Sequence, residues 1–405
     1  MSDRYPGGLI RKTPPTITPP VDGEGGSASG IWTMDQVAYY IKEGEWPQGV
    51  LPRRLYSFGD NGNGAIGDNS VITRSSPTQV GSQTIWEEVS GGDSYSLAVK
   101  TNGTLWSWGL NNLGQLGQNN AIKRSSPTQI GSNTNWSKVS AAIDHNFAIK
   151  TDGTLWGWGR NSVGELGLNN TIRKSSPTQV GADTDWSYLA QGLASAHSLA
   201  IKTDGTLWSW GYNIFGQLGL AISNSINKSS PTQVGVGLTW LDVAVGSYAT
   251  SAVRSDNTLW SWGNGNFGQL GNNSTSSTNS PVQVGALTNW AKISRGFNFA
   301  VAVKTDGTLW SWGQNTSGQL GFPGANKSSP VKVGSLEDWY SVASGNNSQY
   351  SIKTDGTLWS WGGNSNGRLG LNDFANKSSP TQVGAQSNWN KLAGGDSHGL
   401  VTNRG

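Results

Sequence analysis

Histidine is the side chain best suited to acid–base chemistry near neutral pH and to binding metals, and this chain has three. His145, His197 and His398 occupy near-equivalent positions of a repeated motif, and at least one whole repeat separates each from the next. Histidines spaced in this way do not converge on one metal ion or one reacting atom. Because Tyr95 and Phe299 fill the same position in other repeats, the pattern predicts a packed ring at the start of a strand, with no metal site and no catalytic residue.

A second recurring group is a lysine or arginine placed just before the motif Ser-Ser-Pro. Its members are Arg74, Arg124, Lys174, Lys228, Lys327 and Lys377. If the repeats surround an axis, these side chains form a circle on one face, which predicts a weak basic collar for acidic glycans or the phosphates of lipopolysaccharide. The alternative is that they are solvated loop charges that aid solubility. With 28 basic and 25 acidic residues, the chain lacks the one-sided basic excess expected of a nucleic-acid-binding protein.

Other kinds of reactive site find little support in the residues. The chain has no cysteine, which excludes disulfide and thiolate chemistry. The run Asp60-Asn61-Gly62-Asn63-Gly64 resembles the beginning of a calcium loop but lacks a glutamate at the twelfth position, so a glycine-rich turn is the better interpretation. Near-identical repeats also offer no asymmetric pair of carboxylates, and an active site needs different groups in fixed asymmetry. The sequence therefore predicts a protein that is not an enzyme and that binds no cofactor.

A repeated pentapeptide, Leu-Trp-Ser-Trp-Gly, indicates the elements that must position these residues. Near-copies begin, at spacings of 49 to 52 residues, at Leu55, Leu105, Leu155, Leu207, Leu259, Leu309 and Leu358. A fixed period of this size is typical of propellers, solenoids and other arrays. One repeat contains four short runs that are rich in β-branched or aromatic residues and bounded by Gly, Pro, Asn or Ser, which predicts four strands. These runs are Thr104–Gly109, Thr128–Ile130, Trp136–Ser140 and Asn146–Lys150.

Two punctuating residue types recur with the same regularity. Asp-Gly or Asn-Gly stands between two apolar runs, as in Asp152-Gly153, and we expect a type I′ turn because both central residues of that turn need positive φ. A proline follows serine in every repeat, as at Pro127, and it belongs at the entrance or the edge of a strand because it has no amide hydrogen to donate. No long stretch inside the repeats shows helical periodicity. The pattern therefore predicts an all-β chain of seven four-stranded blades, a β-propeller.

The two ends of the repeat region complement each other. The last repeat stops with a fourth-strand sequence at residues 398–405, and the first begins with Leu55–Gly59, which lacks the strand that should precede it. We therefore expect Leu55–Gly59 to complete the last blade, so that shared N- and C-terminal strands close a ring over residues 51–405. Closure removes the unpaired sheet edges that promote aggregation, whereas a stacked solenoid would need a capping repeat at each end.

Tryptophan is the main source of packing in the repeats. Of 21 tryptophans, twelve lie in the pentapeptides and seven begin the third predicted strand of each repeat. Side chains alternate along a strand, so both tryptophans of a pentapeptide share one face while leucine and serine share the other. The regular spacing favours wedges packed between blades over exposed platforms for carbohydrate.

The repeats resemble a known family. The succession WGxNxxGQLG, SSPTQV, a tryptophan and GGxxHSLAIKTDGTLWSWG is similar to the regulator of chromosome condensation repeat family over residues 55–405. The resemblance implies a seven-bladed propeller but no single function, since members include a guanine-nucleotide exchange factor, a plant ultraviolet photoreceptor and scaffolds. No repeat carries the inserted β-wedge of the exchange factors. None carries the Gly-Trp-Arg-His-Thr run of the photoreceptor either; the corresponding positions are Ser94–Ser96, Asp144–Asn146 and Ser397–Gly399.

The first fifty residues have a different composition. Residues 1–30 are rich in proline and glycine, which predicts an extended arm. Residues 31–50 form a second segment, in which Thr33 can cap one short helix at about residues 34–43. The apolar stripe of this segment is too short and too charged for a signal peptide or a membrane span, which leaves a lid over the propeller or a partner-docking segment. The candidate docking residues are Trp32, Val37, Tyr40, Ile41 and Trp46.

The N-terminal runs MSDRYPGGLIRKTPP and SASGIWTMDQVAYYIKEGEWP resemble structural proteins of tailed bacteriophages, especially cyanophages. The resemblance implies an attachment segment followed by a presented domain. We therefore expect a virion structural protein on the tail, a fibre or the capsid surface, made in the host cytoplasm without a signal peptide and forming part of an oligomeric assembly. Residues 1–50 would bind other virion proteins. The propeller would face outward toward proteins or host-surface glycans, with no nucleic acid bound and no membrane insertion.

Two alternatives from other classes stay open. The fold family makes an intracellular scaffold, or a regulator that accelerates nucleotide exchange on a small GTPase, the main alternative. A glycan-active enzyme would need paired carboxylates in one cavity, and the sequence offers no asymmetric pair.

Overall fold

The computed structural model describes residues 4–5, 8–9, 53–190, 192, 196–222 and 226–404. The chain divides into two units, Met1–Pro52 and Arg53–Gly405. In the first unit, β1 (Arg4–Tyr5) and β2 (Gly8–Leu9) pair as a two-stranded antiparallel sheet. Outside the described residues lie the predicted helix at about residues 34–43 and the candidate docking residues Trp32, Val37, Tyr40, Ile41 and Trp46.

The second unit consists of seven four-stranded antiparallel sheets, which confirms the predicted all-β propeller. Each sheet is one blade, and its strands follow one another from the axis outward as the inner, second, third and outer strand. The inner strands are β5 (Trp86–Gly91), β9 (Trp136–Ala141), β13 (Trp186–Leu189), β17 (Trp240–Val245), β21 (Trp290–Arg295), β25 (Trp339–Ser344) and β29 (Trp389–Gly394). The second strands are β6 (Tyr95–Lys100), β10 (His145–Lys150), β14 (His197–Lys202), β18 (Ala249–Arg254), β22 (Phe299–Lys304), β26 (Ser348–Lys353) and β30 (His398–Asn403).

The third strands carry the repeated pentapeptide, and the outer strands carry the Ser-Ser-Pro motif or its variant. The third strands are β3 (Leu55–Gly59), β7 (Leu105–Gly109), β11 (Leu155–Gly159), β15 (Leu207–Gly211), β19 (Leu259–Gly263), β23 (Leu309–Gly313) and β27 (Leu358–Gly362). The outer strands are β4 (Arg74–Gln79), β8 (Arg124–Gln129), β12 (Lys174–Gln179), β16 (Lys228–Gln233), β20 (Thr278–Gln283), β24 (Lys327–Lys332) and β28 (Lys377–Gln382). In the described part of the chain, no helix is long and apolar enough to cross a membrane.

The seventh blade closes the ring with strands from both ends of the repeat region. Its strand order is β29-β30-β3-β4, whereas blades 1 to 6 each use four consecutive strands, starting with β5. Leu55 of β3 lies opposite Thr402 of β30, and Gly59 lies opposite His398. The Ser57 hydroxyl also donates to the carbonyl of Gly399 in β30 at 3.0 Å. The predicted closure by shared terminal strands is confirmed.

The outer strand is longer than the sequence indicated. In blade 1, β8 begins at Arg124 rather than at the predicted Thr128, and its pairing with β7 changes register between Ser107 and Gly109. The Ser-Ser-Pro segment therefore lies inside a strand, at an irregular stretch of the ladder. Because β8 is the edge strand of its blade, Pro127 needs no donor toward solvent, and the predicted edge position of the proline is confirmed.

The Asp-Gly turn differs from the predicted type I′ geometry. In blade 2 the amide of Gly153 donates to the carbonyl of Lys150, and the amide of Lys150 donates to the carbonyl of Thr154, both at 3.0 Å. Gly153 has φ of 77°, but Asp152 is not among the residues with positive φ. The prediction was wrong: the loop is a type I turn followed by a left-handed glycine. The Asp152 carboxylate stabilises this turn, because it accepts hydrogen bonds from the amide and hydroxyl of Thr154 at 3.0 and 2.6 Å.

Tryptophans pack between blades as predicted, but the two of each pentapeptide do so unequally. In blade 1, Trp108 is fully buried, and its Nε1 donates to the carbonyl of Ala65 in blade 7 at 2.8 Å. Trp106 packs against the same cluster but is half-buried, and its Nε1 donates to Thr104 of its own hairpin at 2.8 Å. Leu105 joins the tryptophan cluster of blade 2 instead. The second tryptophan is therefore the buried wedge between blades.

Candidate binding surfaces

The three histidines begin the second strands of blades 2, 3 and 7, as predicted, and each contacts the next blade. At the ring closure, His398 Nε2 lies 2.9 Å from Ser96 Oγ of blade 1. The Ser96 hydroxyl donates to the carbonyl of Ala65, the same carbonyl that accepts from the wedge tryptophan. The equivalent pairs are His145 with Ser198 at 2.9 Å and His197 with Thr250 at 3.2 Å.

Burial keeps these histidines neutral. Each side chain is at most 1% exposed, and removal from water lowers the pKa of His145 and His398 to about 4 and that of His197 to about 3. The imidazole nitrogens bond to hydroxyls of a neighbouring blade, and the fold does not bring two histidines onto one atom. The predicted packed ring is confirmed. In the described part of the chain, no group of three or more His, Asp or Glu side chains is placed to hold a metal ion.

The glycine-rich run at residues 60–64 is a turn organised by an asparagine. Asn61 is fully buried. Its Oδ1 accepts from the amide of Ile66 at 3.0 Å, and its Nδ2 donates to the carbonyls of Ser70 and Ile72 at 3.1 Å. Asn111, Asn161, Asn315 and Asn364 hold the corresponding loops in the same way. Asn61, the second residue of the run, is therefore committed to holding the turn.

The predicted collar residues lie at the first position of the outer strands, on the face where the second strands also begin. They are Arg74, Arg124, Lys174, Lys228, Lys327 and Lys377. Blade 4 has Thr278 at this position. The outer-strand starts also fasten neighbouring blades, since the amide of Asn119 in blade 1 donates to the carbonyl of Ser175 in blade 2 at 2.7 Å.

Charge is distributed unevenly along this collar. Arg74 Nη2 lies 2.6 Å from Asp68 Oδ2, and Lys377 Nζ lies 2.7 Å from Asp373 Oδ2, so blades 7 and 6 are partly neutralised. The other collar residues have no carboxylate within 4.0 Å among the described residues, and three of them stand on consecutive blades 1, 2 and 3: Arg124, Lys174 and Lys228. The collar is therefore a basic arc rather than a uniform circle.

The inner strands surround a channel that the sequence analysis did not single out. Residues of all seven inner strands line a cavity of about 490 Å³. One residue per blade, the second after the inner-strand tryptophan, contributes to this lining, and we name these seven the channel ring. The ring consists of Glu88, Lys138, Tyr188, Asp242, Lys292, Ser341 and Lys391. A sequence signal for it exists, because the preceding tryptophan is invariant while this position changes in charge and polarity from repeat to repeat.

One carboxylate of the channel ring is shared by two lysines. Glu88 Oε1 accepts from Lys138 Nζ at 3.0 Å and from Lys391 Nζ at 2.6 Å. These contacts join blades 1, 2 and 7 around the axis. Because the Lys138 side chain is 48% exposed, its pair with Glu88 contributes little to stability, and its ammonium keeps donors that a second anion can use. Lys391 already has a second carboxylate nearby, Glu87 Oε1 at 3.5 Å.

The other carboxylate is buried and fully engaged. Asp242 is 4% exposed; its Oδ1 accepts from the Tyr188 hydroxyl at 2.6 Å and its Oδ2 from the amide of Ile293 at 3.0 Å. Burial raises the pKa of Asp242. Burial and the neighbouring Asp242 carboxylate raise the pKa of Tyr188 well above 10, so this phenol is a poor nucleophile. The Tyr188 hydroxyl and the Asp242 carboxylate are therefore committed to each other.

Comparison with known proteins identifies the repeats. The chain matches the model of the RCC1-like domain over residues 54–401. A segment of 77 residues is 39% identical to the ultraviolet-B receptor UVR8 of Arabidopsis thaliana, covering 18% of this chain and 17% of the receptor. A segment of 78 residues is 36% identical to the human E3 ubiquitin-protein ligase HERC2, covering 19% of this chain and 2% of the ligase. The aligned segments thus span only a small part of these relatives.

Solved structures share the fold over nearly the whole propeller. Human WBSCR16 superposes with a TM-score of 0.77 at 21% identity, over 87% of this chain and 99% of that one. Prp20p of Saccharomyces cerevisiae superposes with a TM-score of 0.76 at 20% identity, over 88% of this chain and 92% of that one. At these identities the likeness shows the fold alone.

Proposed function

Because the chain belongs to the RCC1-like domain family, we propose that it is a non-catalytic binding module, which residues 1–50 attach to a bacteriophage virion. The observation that carries the proposal is the closed ring of seven near-uniform blades. At six of the seven junctions a buried tryptophan fastens a blade to the preceding one, as in the contact of Trp108 with the Ala65 carbonyl, and at the seventh Phe58 takes this place. Such a ring is a rigid platform for presenting a surface. The phage-like runs within residues 1–47 support the virion as the place of presentation.

The basic arc of the collar is the surface that we assign to acidic groups of a host glycan or of lipopolysaccharide. Arg124, Lys174 and Lys228 provide contiguous charges without a carboxylate partner among the described residues. Ile122 and Ile172, which are 57% and 64% exposed, stand two residues before the first two of them and add apolar contact area. These side chains are half-buried, and charges that remain accessible to water attract phosphate or carboxylate weakly and in a salt-dependent way, so useful affinity would require several copies on one particle.

Two measurements on particles test this proposal. Quantitative mass spectrometry of purified virions, scaled to the major capsid protein, should detect the chain; a few to a few dozen copies would indicate the tail or a fibre, and hundreds a capsid decoration. Deleting residues 1–50 should abolish incorporation while the propeller, expressed as residues 51–405, keeps its β-sheet circular dichroism. Absence of the full-length chain from virions, or unchanged incorporation of the truncated one, would contradict the proposal.

The main alternative is an intracellular scaffold or a regulator of nucleotide exchange on a small GTPase, and family membership is the observation that favours it. The blades of this chain carry no inserted strand pair among the described residues, whereas the wedge of the exchange-factor propellers is such an insertion. Accelerated nucleotide release from a panel of small GTPases would support this alternative. No acceleration, together with recovery of the chain in virions, would remove it.

A further inference from the structure

We propose that the channel ring is a receptor for a carboxylate-bearing molecule of about monosaccharide size, held by the ring residues of blades 5, 6 and 7. This site is distinct from the basic arc of the collar, and the inference does not depend on attachment to a virion. The cavity of about 490 Å³ lies within the range of small-molecule sites.

The channel ring position differs in residue type from blade to blade. Packing between blades is served by residues that repeat, such as the inner-strand tryptophan and the wedge tryptophan. The channel ring, by contrast, holds two acids, three lysines, a tyrosine and a serine, and all seven residues line one cavity. The ring is therefore where seven similar blades present different groups to one cavity, which is the asymmetry that a specific ligand requires.

The cavity carries an excess of positive charge. The cavity is lined by five cations and two carboxylates: Arg53, Lys138, Lys292, Lys391, Arg404, Glu88 and Asp242. Glu87, which does not line the cavity, pairs with Arg53 and Lys391, and counting it still leaves an excess of two positive charges. A cavity with a low-dielectric wall and an excess of one sign concentrates ligands of the opposite sign. The ligand class that fits is an anion.

Hydrogen-bond donors that are available to a ligand stand on blades 5, 6 and 7. Lys292 on blade 5 is exposed, and its ammonium has no carboxylate within 4.0 Å among the described residues. On blade 6, the Ser341 Oγ is buried without a hydrogen-bond partner. On blade 7, the Lys391 ammonium lies 2.6 Å from Glu88 Oε1 and 3.5 Å from Glu87 Oε1, which leaves one of its three N–H groups for a ligand. Three consecutive blades therefore offer an ammonium, a hydroxyl and a second ammonium, a donor set that suits the two oxygens of a carboxylate.

An aromatic side chain beside this donor set favours a small organic anion over an inorganic one. Tyr340 precedes Ser341 on blade 6, is 62% exposed, and lines the same cavity. An aromatic ring supplies apolar area with a polar tip, which suits the mixed polar and apolar surface of a sugar acid. The predicted ligand therefore combines a carboxylate with a compact, partly apolar body.

The test is calorimetric titration of the full chain at low ionic strength with sodium glucuronate, and with glucose as an uncharged probe of similar size. Glucuronate should bind and glucose should not, and added salt should weaken binding. Lys292→Met should weaken glucuronate binding about tenfold, the effect of losing one charge-assisted hydrogen bond. The matched control is Lys123→Met, which removes an exposed lysine from the outer rim and should change affinity by less than about twofold.

Each outcome of this titration decides the proposal. Glucuronate binding that Lys292→Met weakens and Lys123→Met does not would support the channel ring as the site. The proposal is overturned if glucuronate does not bind, if glucose binds equally well, if Lys292→Met binds like the wild type, or if both variants lose affinity to the same extent. Thermal unfolding of both variants serves as the folding control, since neither lysine makes an ion pair among the described residues.

Discussion

The buried histidine ring should make the propeller sensitive to mild acid, and His398 provides the sharpest case. Its folded pKa is about 4, and its ordinary value is 6.5. Between these two values the unfolded chain binds more protons than the folded one, so stability falls as the pH falls. Burial is the main cause of the low pKa; Asp396 and Asp60 raise it slightly, and Arg368 lowers it.

The size of the effect follows from linkage. At pH 5 a histidine with these two pKa values destabilises the fold by about 2 kcal/mol relative to pH 8. His145 and His197 have similarly low values, so the three together amount to about 6 kcal/mol. Unfolding entropies of about 2.1 cal/mol/K per residue, over about 350 residues, convert 2 kcal/mol into a Tm change of about 3 °C. The triple substitution should therefore recover about 8 °C of the Tm lost on going from pH 8 to pH 5.

The assay is thermal unfolding of the wild type, of His398→Gln and of the triple glutamine variant, each at pH 8 and pH 5. Glutamine cannot take up a proton in this range but keeps a polar group for the neighbouring hydroxyl. The comparison is between pH-dependent differences, so any constant cost of the substitution cancels. The chain has only three histidines and no cysteine, which leaves few other groups to titrate in this window. If the Tm loss between pH 8 and pH 5 is the same in all three proteins, the reasoning is refuted.

Two further predictions concern the Asp93 carboxyl group and the glycine of the Asp-Gly turn. Desolvation and the neighbouring Asp396 raise the pKa of Asp93 to about 6 from an ordinary value of 3.8, so its favourable contribution to stability is present at low pH and is lost as the pH rises through 6. Asp93→Asn should therefore raise the Tm at pH 8 more than at pH 5, and an equal change at both pH values would contradict this. Gly153→Ala should lower the Tm by several degrees more than Gly131→Ala. Both glycines have positive φ, but an added Cβ would approach the Thr184 carbonyl oxygen to 2.0 Å at Gly153 and would meet nothing within 4 Å at Gly131. Equal costs of about 1 to 2 kcal/mol would mean that only the backbone conformation matters.

The turn and the outer strand show where local pattern reasoning fails. Asp-Gly between two apolar runs favours a type I′ turn on average, but Asp152 uses its carboxylate to hold Thr154, and this local bond selects a type I turn. Ser-Ser-Pro has a low preference for strands, yet β8 includes it because an edge strand tolerates proline. The loop of the preceding blade also binds the backbone of an outer strand, as the amide of Asn119 in blade 1 binds the carbonyl of Ser175 in blade 2. The error in the turn type arises from a side-chain hydrogen bond. The error in the length of the outer strand arises from contact with a neighbouring blade, which the repeat sequence does not specify.

The sites differ in the same respect. The collar positions were predictable because they precede a motif that repeats, and the buried histidines were predictable because aromatic residues replace them in other repeats. Which collar charges stay uncompensated was not predictable, since Asp68 and Asp373 reach Arg74 and Lys377 only through folded loops. The channel ring was visible as a variable position in the sequence, but its variation has no meaning until the inner strands are known to surround one cavity.

The sequence by itself determined the number of blades, their four strands, the closure by strands from both ends and the face on which the wedge tryptophans pack. Those properties depend on local alternation and on a repeat period, and both are written along the chain. Only the tertiary structure decided which charges meet across blades, which tryptophan of each pentapeptide is buried, and that one residue from each inner strand converges on the axis. Residues about 50 positions apart become neighbours only when the ring closes, so their chemistry as a group is a property of the closed ring.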